Sequence, residues 1–562
     1  MRTISKSVAA LTRLNLIGLS LAAGLLAQTI TSIQNPASNV VSSLPNFGIA
    51  QGSIFVLYGG SMGPSAISTA PRLPLGTSLA GTSVTVIAGG LTFSPFMVYT
   101  LASQVAAVMP SSVPAGPATV QVTYNGTAGP AFNTIIVTSD FGISTVNQTG
   151  GGAAVITYPT TTAPFYSVVT NTNSTKPGST YTMWGTGLGA ATSDSNIASG
   201  DLGTPIQVFV GGSAAGVTYR GRSGSPGLDQ INFIVPQGTA TGCAVSLIVQ
   251  TTGLVSNNTT IPVAATGGTC SDTVSAQPLN SATLSSLTNN KSVIRFGLID
   301  YWQQVPNQRT SPTPIYSSQV TLFSVGQADF PAWQDIVSAE AVSPGSCVVR
   351  VTYGQPADAF SFAQPLNAGT TLRLTPPSGA SLNLVPDSSA GGNYTGTPAS
   401  YQAGTFGLSG VGGPDLGAFA VNFVAPPLLT LTNRAAIMAA SPSQGITGTV
   451  LDRTKPLTLT WTGGDPNGFA DILLDSGLFR DNVLQTSIEA ECVAPLGSGM
   501  FTVPPNILLA LPPTVNGASS GNGWSSAIHF ESVMPLQVLN AAGLDAMVAQ
   551  PRNRISTGVD FK

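Results

Sequence analysis

The chain has 562 residues, of which 42% are hydrophobic and only 7% are charged, against about 25% charged residues in an average soluble protein. Low charge with ample apolar residues excludes the usual disordered class of protein, which is charge-rich and apolar-poor. The 63 glycines and 42 prolines are typical of strands joined by many turns, and the length is sufficient for several domains.

The N-terminal segment, residues 1–27, has the pattern of a secretory signal peptide. Arg2, Lys6 and Arg13 form a basic region, and the apolar run Leu14–Leu26 follows, with small residues suited to cleavage near its end. This run is shorter than the about 20 residues of a membrane span, so we expect no membrane span after cleavage; an uncleaved anchor is the alternative. We predict a secreted protein, extracellular or associated with the cell surface, with the periplasm also open.

Removal of the signal peptide takes away three basic residues and no acidic ones. The 19 Lys+Arg fall to 16, against 22 Asp+Glu, which gives a balance of −6. Between Arg13 and Lys176 only Arg72 and Asp140 are charged. Because nucleic acid binding needs clustered Lys and Arg residues that neutralise phosphates, nucleic acid is excluded as a partner.

The strongest pattern in the chain is an internal repeat. Five positions recur at one constant offset: Ser53, Gly59, Gly63, Gln104 and Pro110 return as Ser179, Gly185, Gly189, Gln230 and Pro236. Short apolar runs between Gly and Pro turns, about ten residues apart, predict antiparallel β-sandwiches. We predict a lead-in over residues 28–46, a first sandwich over 47–140 and a second over 141–270.

One predicted strand of the second copy differs from its counterpart in the first copy in the positions of its apolar residues. The apolar alternation of Ala244–Val249 is shifted by one residue relative to Ala118–Tyr124. Because a slip of one residue moves every side chain to the other face of a sheet, we predict a bulge or a one-residue change in the preceding turn.

The second half of the chain, from about Leu279, does not align with the repeats, although alternating segments such as Ser346–Tyr353 keep it β-rich. The predicted parts are a linker over 271–289, a sandwich-like unit over 290–440 and a C-terminal β-rich unit over 441–562. These two units form one composite domain if Cys347 pairs with Cys492. The predicted fold is therefore all-β, with tandem sandwiches and one or two further sandwich-like units.

The four cysteines are Cys243, Cys270, Cys347 and Cys492, and none lies in a C-x-x-C motif. With a single histidine in the chain, we predict no metal site and no cofactor. An even number of cysteines in an exported chain predicts disulfides, with three possible connectivities. We prefer Cys243 with Cys270, which would join the start of a strand to the end of the same domain, and this leaves Cys347 with Cys492. The other connectivities and free buried thiols stay open.

Several segments of the two copies form a recognisable set of motifs. They are Gly-Thr-Gly-Leu-Gly at 185–189, the segment 220–236, Gly242-Cys243 and Cys270-Ser-Asp272, with Pro114–Pro117 and Tyr124–Gly126 in the first copy. Together these segments resemble the Ig-like (IPT/TIG-like) repeat of secreted acidobacterial proteins. The resemblance covers roughly residues 47–272. It implies an Ig-like sandwich, an exported protein, no known catalytic activity, and cysteines at the positions of Cys243 and Cys270.

The segment Gly59–Gly63 matches the G-x-S-x-G pattern of a hydrolase nucleophile. Its serine, Ser61, becomes Gly187 in the second copy, and no helix pattern follows. We interpret this segment as a glycine-rich turn.

The segment Gly517–Gly521 matches the same pattern and precedes His529, the only histidine. A pair of Ser519 with His529, completed by Glu531 or Asp545, is conceivable. The segment has the composition of a loop, and proximity in sequence does not create the geometry of a triad. We therefore predict no catalytic residue and a protein that is not an enzyme.

Tryptophan side chains can stack on sugar rings. Trp184 and Trp461 lie in apolar strands and are interpreted as core residues. Trp302 and Trp333 are the better candidates for exposed platforms and are the predicted ligand-binding residues.

Two groups of charged residues have a structural and a functional interpretation. Arg220, Arg222 and Asp229 bracket one loop, and a local ion pair that orders the loop is favoured over a ligand contact. The second group is a set of aspartates that could bind calcium: Asp465, Asp471, Asp475 and Asp481. Their spacing does not match the EF-hand loop, so solvated carboxylates are favoured.

The sequence thus predicts a secreted, non-catalytic, multidomain binding, adhesion or structural protein of the cell surface or extracellular space. Its expected partner is an extracellular protein or polysaccharide, contacted mainly by loops at the ends of the sandwiches. The alternatives are a carbohydrate-binding accessory protein and a secreted hydrolase with its site in the C-terminal half.

Overall fold

The computed structural model of the protein describes residues 28–161, 163, 165–198, 200–271, 281–305, 314–331, 342–354, 363–387, 392–438, 450–514 and 522–562. The predicted signal peptide and the boundary predicted near residue 441 lie outside these residues. Strands dominate every part of this range, and nearly all of them pair antiparallel. The prediction of an all-β fold with tandem antiparallel sandwiches is confirmed.

The first sandwich encloses its core between two sheets. Its strands are β1 Thr29–Gln34, β2 Ile49–Ala50, β3 Ile54–Gly60, β4 Ser68–Thr69, β5 Ser78–Leu79, β6 Thr82–Ala88, β7 Leu91–Phe93, β8 Phe96–Leu101, β9 Gln104–Val108, β10 Gly116–Tyr124, β11 Thr127–Ala128 and β12 Phe132–Val137. One sheet has the order β1-β3-β9-β8-β4 and the other β2-β12-β10-β6-β5. Alternate side chains such as Phe55, Val86 and Val120 face inward and form the core. The segment predicted as a lead-in thus contributes the edge strand β1.

The second sandwich repeats this plan. Its strands are β13 Gly142–Ile143, β14 Ile156–Pro159, β15 Tyr166–Val168, β16 Thr180–Thr186, β17 Gln207–Val210, β18 Ser213–Arg222, β19 Asp229–Ile234, β20 Gly242–Gln250 and β21 Thr259–Val263. The start of β18 pairs with β17, and its remainder, from Gly216, pairs with β19, so this one strand joins the two layers. The strands β16 and β20 occupy the places of β3 and β10, which confirms that the sequence repeat is a structural repeat.

The predicted slip in the second copy is present as a bulge. The register between β20 and β21 shifts between Gly242 and Val245. As a result Val245 and Leu247 face the core of the second sandwich, whereas Ile248 faces outward and joins another core. The one-residue shift therefore gives this sheet a second apolar face.

The repeated glycines Gly59 and Gly185 are explained by close packing of the backbone. A Cβ atom on Gly59 would overlap the carbonyl oxygen of Thr29 in β1, and one on Gly185 would overlap that of Gly142 in β13. In both copies the neighbouring strand pairs with the glycine-containing strand at this position. The recurring glycines therefore have a structural role that requires no bound ligand.

The second half of the chain forms one long sheet and one short sheet. Its elements are α1 Ser281–Thr288, β22 Val293–Val305, β23 Ile315–Gly326, β24 Ser346–Tyr353, β25 Gln364–Pro365, β26 Leu372–Thr375, β27 Leu382–Pro386, β28 Asn393–Gly396, β29 Gly404–Gly410, β30 Phe419–Ala425, β31 Leu429–Leu431, α2 Arg434–Met438, β32 Leu457–Gly463, β33 Phe469–Arg480, β34 Val483–Pro495, β35 Met500–Val503, α3 Pro505–Leu508, β36 Gly523–Val533, β37 Gln537–Leu539, β38 Ala546–Ala549 and β39 Arg552–Val559. The long sheet has the order β24-β34-β33-β36-β39-β22-β23-β28-β27-β26-β29-β30, so strands from both sides of residue 441 belong to it. Among the described helices, none is long and apolar enough to cross a bilayer.

One end of the long sheet curls into a closed ring of strands. The strand β38 pairs with both β22 and β37, and β37 lies beside the last strand, β30. The side-chain amide of Gln537 closes this junction with two hydrogen bonds to the backbone of Val424. Gln537 Nε2 donates to the carbonyl oxygen of Val424 at 2.8 Å, and Gln537 Oε1 accepts from the N–H of Val424 at 2.7 Å. Aromatic residues, including Tyr301, Phe406 and Phe423, fill the ring.

A large apolar core connects the two halves of the chain. It lies between the sheet β24-β34-β33-β36-β39 and the short sheet β31-β32-β35, with Trp461 and Phe530 in contact. Ile248 from the second sandwich and Leu44 from the lead-in segment belong to the same core. The halves are therefore packed together by buried apolar side chains.

Both predicted disulfides are present, Cys243–Cys270 and Cys347–Cys492. The first joins the start of β20 to the end of the second sandwich, as predicted. The second joins directly opposed residues of β24 and β34 inside the large core. It therefore ties strands that lie far apart in the sequence within one sheet.

A buried ion pair between Arg222 and Asp229 lies where the first two sandwiches meet. Both side chains are almost completely buried. The Arg222 Nη2 group also donates hydrogen bonds to the carbonyl oxygens of Gly52 and Gly189, each at 2.6 Å. Asp229 accepts hydrogen bonds from the backbone N–H groups of Gly187 and Leu188, each at 2.8 Å. The predicted ion pair is confirmed, and its bond to Gly52 also connects the two sandwiches.

We expect Arg222→Ala to lower the free energy of unfolding by about 3–5 kcal/mol, because it leaves the carboxylate of Asp229 buried without its counter-charge. The matched control is Arg220→Ala, which removes the exposed pair with Asp201 and should change stability by about 0–1 kcal/mol. Urea unfolding of both variants measures the difference. Equal effects of the two substitutions would contradict the structural role of Arg222.

Candidate functional site

One face of the long sheet gathers charged and polar side chains from six neighbouring strands. On β33, β34, β36 and β39, alternate residues such as Ile472 and Phe530 point into the large core, so the residues between them line the opposite surface. We call this surface the charged face. It consists of Asp300, Trp302, Gln304, Arg350, Asp471, Asp475, Glu489, Glu491, His529, Glu531, Arg552, Arg554 and Ser556.

Ion pairs on the charged face connect neighbouring strands. They are Arg350 with Glu491, Arg554 with Glu531, Arg552 with Glu531 at 3.7 Å, and Arg552 with Asp300 at 3.1 Å. Opposite charges on adjacent strands stabilise a sheet by about 0.2–1 kcal/mol for each pair. The acidic side chains of β34, β33 and β36 therefore lie together in the middle of the face, with arginines of β24 and β39 on either side of them.

Asp471 is the least compensated group of this array. Its Oδ1 atom is buried and has no hydrogen-bond partner among the described residues. Burial, and after it the negative charges of Glu491 and Glu531, raise the pKa of Asp471 well above its ordinary value, although Arg554 and Arg350 act in the opposite direction. The folded protein therefore favours the protonated form of this carboxyl group.

We expect Asp471→Asn to raise the urea midpoint at pH 8 and to change it little at pH 4. Because the pKa of Asp471 is raised in the folded state, its stabilising contribution is present below the ordinary pKa and is lost as the pH rises through the raised value. Asparagine cannot ionise, so it avoids this loss. The control is Asp481→Asn, which makes the same substitution in the exposed hairpin turn. A variant at residue 471 that is less stable at both pH values would contradict the prediction.

Trp302 lies on the charged face beside a small cavity. The cavity has a volume of about 190 Å³ and is lined by Trp302, Gln304, Arg552 and Arg554. Tyr301, which precedes Trp302 in the sequence, points to the opposite side of the sheet, into the core of the closed ring. An indole ring beside guanidinium and amide donors can stack on a sugar ring and hydrogen-bond its hydroxyl groups.

His529 contacts a serine and an aspartate that the sequence did not connect with it. Its Nδ1 atom lies 2.8 Å from Ser556 Oγ, and its Nε2 atom lies 3.0 Å from Asp475 Oδ1. The contact with Asp475 has the distance of an ion pair but lacks the alignment of a hydrogen bond. Ser556 is only 6% exposed, and Gln304 Nε2 donates to its Oγ atom at 3.2 Å. A nucleophile must meet a substrate carbonyl beside preorganised donors, and burial of Ser556 works against such access.

The acids that the sequence offered to His529 have other partners. Glu531 pairs with the two arginines of β39, and Asp545 pairs with Lys291 and accepts a hydrogen bond from the backbone of Arg295. Ser519 lies outside the described residues, as does Trp333, the second predicted platform residue.

The aspartates considered as calcium ligands do not surround one turn. Asp465 and Asp481 lie at opposite ends of β33, which at about 3.3 Å per residue spans roughly 40 Å. Asp471 and Asp475 lie between them on the charged face. No group of three or more His, Cys, Asp or Glu side chains within the described residues could hold a metal ion.

Three further residues that the sequence analysis considered, Trp461, Trp184 and Ser61, lie in strands or in a turn. Trp461 is buried in the large core and donates from Nε1 to the carbonyl oxygen of Leu496. Trp184 is partly buried and donates to Thr157 Oγ1 at 2.9 Å. Ser61 lies in the turn after β3 with φ near +56°, and strands follow it.

Most residues of the charged face were not predicted from the sequence, although the sequence contains a signal for them. Glu489 and Glu491 alternate with apolar residues along β34, as His529 and Glu531 do along β36. A period of two among charged residues indicates a polar sheet face, but only the strand order shows that these segments are neighbours.

No protein-family model matches the chain, and no curated protein matches it. Solved structures with some likeness include domains 5–6 of the S-layer protein SbsC, with 13% identity, 42% of this chain and 98% of that chain covered, and a TM-score of 0.15. Immunoglobulin domains 1–4 of Sidekick-1 match with 10% identity, 95% and 99% coverage, and a TM-score of 0.10. The titin tandem I9–I11 matches with 6% identity, 64% and 89% coverage, and a TM-score of 0.10. With TM-scores this low, these matches carry no argument about the function or family of this chain.

Proposed function

We propose that the protein is a secreted, non-catalytic binding, adhesion or structural protein that works at the cell surface or in the extracellular space. Its two disulfides support a location outside the cytoplasm, because disulfides persist in oxidising compartments. The pattern of a signal peptide in residues 1–27 supports the same location. The partner is an extracellular protein or polysaccharide.

The charged face is the observation that carries this proposal. A chain with 7% charged residues places three of its four glutamates, Glu489, Glu491 and Glu531, on this one surface. Fixed charges of both signs favour one orientation of a partner and disfavour others. Because these side chains lie on strands and not on end loops, the face suits a partner that lies along the sheet.

A pull-down experiment tests the proposal. The mature protein is fixed to beads and incubated with envelope and medium fractions of the producing organism. We expect a retained partner whose retention falls at least tenfold with the double variant Trp302→Ala, Glu489→Lys, because the variant removes the indole and reverses a charge. Arg373→Gln, an exposed arginine on β26, is the matched control and should retain the partner. Near-ultraviolet circular dichroism checks that each variant folds. No retained partner, or equal retention by both variants, would contradict binding through this face.

A carbohydrate-binding accessory protein is the second candidate, favoured by Trp302 and its cavity. On a glycan array, Trp302→Ala should lose binding and Trp302→Phe should retain part of it, because the phenyl ring still stacks. Tyr166→Ala, an exposed aromatic residue of the second sandwich, is the control. Trp333→Ala tests the other predicted platform. Unchanged binding in Trp302→Ala and Trp333→Ala would exclude both residues as sugar platforms.

Panels of esterase and glycosidase substrates test the non-catalytic part of the proposal. We expect no turnover above the background of a His529→Ala variant, because Ser556 is buried and already hydrogen-bonded. Activity that disappears in His529→Ala and Ser556→Ala, while both variants stay folded, would establish a hydrolase in the C-terminal half.

We infer that residues 47–272 are two IPT/TIG-like repeats of the kind found in secreted acidobacterial proteins. Support comes from the quoted motifs and from the disulfide Cys243–Cys270 at the positions where that family carries cysteines.

A further inference from the structure

The cavity beside Trp302 is formed by four side chains at the corners of a small rectangle on the charged face. Trp302 and Gln304 are alternate residues of β22, and Arg552 and Arg554 lie directly beside them on the parallel strand β39. Neighbouring strands lie about 4.8 Å apart and alternate residues of one strand about 7 Å apart, so one small chemical group can contact all four side chains. We call this site the Trp302 cavity.

Both arginines of the Trp302 cavity keep an unpaired Nη1 group. Arg552 contacts Asp300 through Nε at 3.4 Å and through Nη2 at 3.1 Å, and its Nη1 atom lies 3.7 Å from Glu531, beyond hydrogen-bond distance. Arg554 contacts Glu531 through Nε and Nη2. Neither Nη1 atom forms a hydrogen bond with another described residue. The arginine side chains are 29% and 33% exposed, so these donors are open to a ligand.

The other two side chains also carry polar atoms that are open to a ligand. Both Trp302 and Gln304 are partly exposed. Gln304 donates from Nε2 to Ser556 Oγ at 3.2 Å, whereas its Oε1 atom accepts no hydrogen bond within the part of the chain that the structure describes. The indole Nε1 atom of Trp302 likewise has no partner there, and neither atom is among the buried unpaired ones. The cavity therefore offers three donor groups and one acceptor.

The charges around the Trp302 cavity cancel. The two positive charges of Arg552 and Arg554 are matched by the negative charges of Asp300 and Glu531. The neighbouring carboxyl group of Asp471 favours its protonated form and adds little charge. A ligand with a carboxylate or sulfate group would bring an unmatched negative charge close to Glu531. The cavity therefore suits an uncharged ligand with strong hydrogen-bond acceptors.

We propose that the Trp302 cavity binds one residue of an N-acetylated sugar, with its acetamido group between Gln304 and the two arginines. The carbonyl oxygen of an acetamido group accepts two hydrogen bonds and matches the Nη1 donors, and its N–H matches the Oε1 atom of Gln304. The indole ring of Trp302 covers the apolar face of the sugar ring. This inference rests on the carbohydrate-binding candidate and adds the class of sugar.

A sugar that carries only hydroxyl groups fits the Trp302 cavity less well. Each hydroxyl group brings a donor of its own, and the cavity has a single free acceptor, so hydroxyl protons would stay unpaired. The size of the cavity is consistent with one sugar residue. Its volume of about 190 Å³ is below the about 300–1,000 Å³ of sites that enclose larger ligands. The rest of a glycan would therefore lie outside the cavity.

A peptide carries the same amide group, but the position of the cavity disfavours it. Extended peptides bind by adding a strand to a free sheet edge. At this position β22 is paired with β23 and β39, and β39 is paired with β22 and β36. Neither strand offers a free edge, so a peptide would contact the cavity without pairing to the sheet.

Isothermal titration calorimetry on the mature full chain tests the proposal with four probes: N,N′-diacetylchitobiose, cellobiose, glucuronic acid and N-acetyl-triglycine amide. Cellobiose has the same linkage as N,N′-diacetylchitobiose and carries hydroxyl groups in place of the acetamido groups. We expect N,N′-diacetylchitobiose to bind at least tenfold more tightly than cellobiose. Glucuronic acid and the peptide amide should not bind, because one is charged and the other cannot pair with the sheet.

Two substitutions test the acetamido contacts. Gln304→Leu removes the acceptor, and Arg554→Lys removes the Nη1 donor but keeps a positive charge beside Glu531. Each should weaken binding of N,N′-diacetylchitobiose at least tenfold and change binding of cellobiose little, with an unchanged urea midpoint. Arg554→Lys alone decides if the leucine variant does not fold. Arg373→Lys, at an exposed arginine of β26, is the matched control and should bind as the unmodified chain does.

The outcomes separate this inference from the carbohydrate-binding candidate. Equal binding of cellobiose and N,N′-diacetylchitobiose that is lost in Trp302→Ala keeps that candidate and overturns recognition of the acetamido group. A preference for N,N′-diacetylchitobiose that survives both substitutions places the sugar elsewhere and also overturns the inference. Binding of glucuronic acid or the peptide amide alone, or of none of the four probes, overturns it as well, and the bead experiment then tests the wider proposal independently.

Discussion

The orientation of the first two sandwiches depends on the buried pair of Arg222 and Asp229. A charge removed from water must be matched in place, and here the guanidinium group is matched by one carboxylate and two backbone carbonyls. One of these carbonyls, that of Gly52, belongs to the first sandwich, whereas Gly189 belongs to the second. Rotation of one sandwich against the other would remove a hydrogen bond from a buried cation. The hydrogen bond to Gly52 therefore favours the orientation of the two sandwiches that the structure shows.

Apolar packing connects the second sandwich to the second half of the chain. The bulge in β20 turns Ile248 away from its own sandwich and into the large core, where it joins Trp461 and Phe530. The disulfide Cys347–Cys492 lies in this core and joins β24 to β34.

Charged residues are few in this chain, and many of them lie together on the charged face. The first sandwich carries almost none, and its surface consists of uncharged polar and apolar residues. The charged face uses alternate positions of six strands, so that one side of the sheet contributes to the core and the other presents ion pairs.

Local patterns in the sequence determined the all-β class and the two repeats, because both depend on residue spacing within strands. The two disulfides were a preference among three connectivities, and the bulge was one of two alternatives, so the structure decided both. The polar composition of β1 concealed an edge strand, since an edge strand needs few apolar residues when only part of one side is covered. Other features were decided only by the tertiary structure: the charged face and the closure of the ring by Gln537. Their residues come from segments that lie up to hundreds of positions apart, and strand order and register alone bring them together. A side chain's partners depend on which strands become neighbours, and neither composition nor periodicity carries that information.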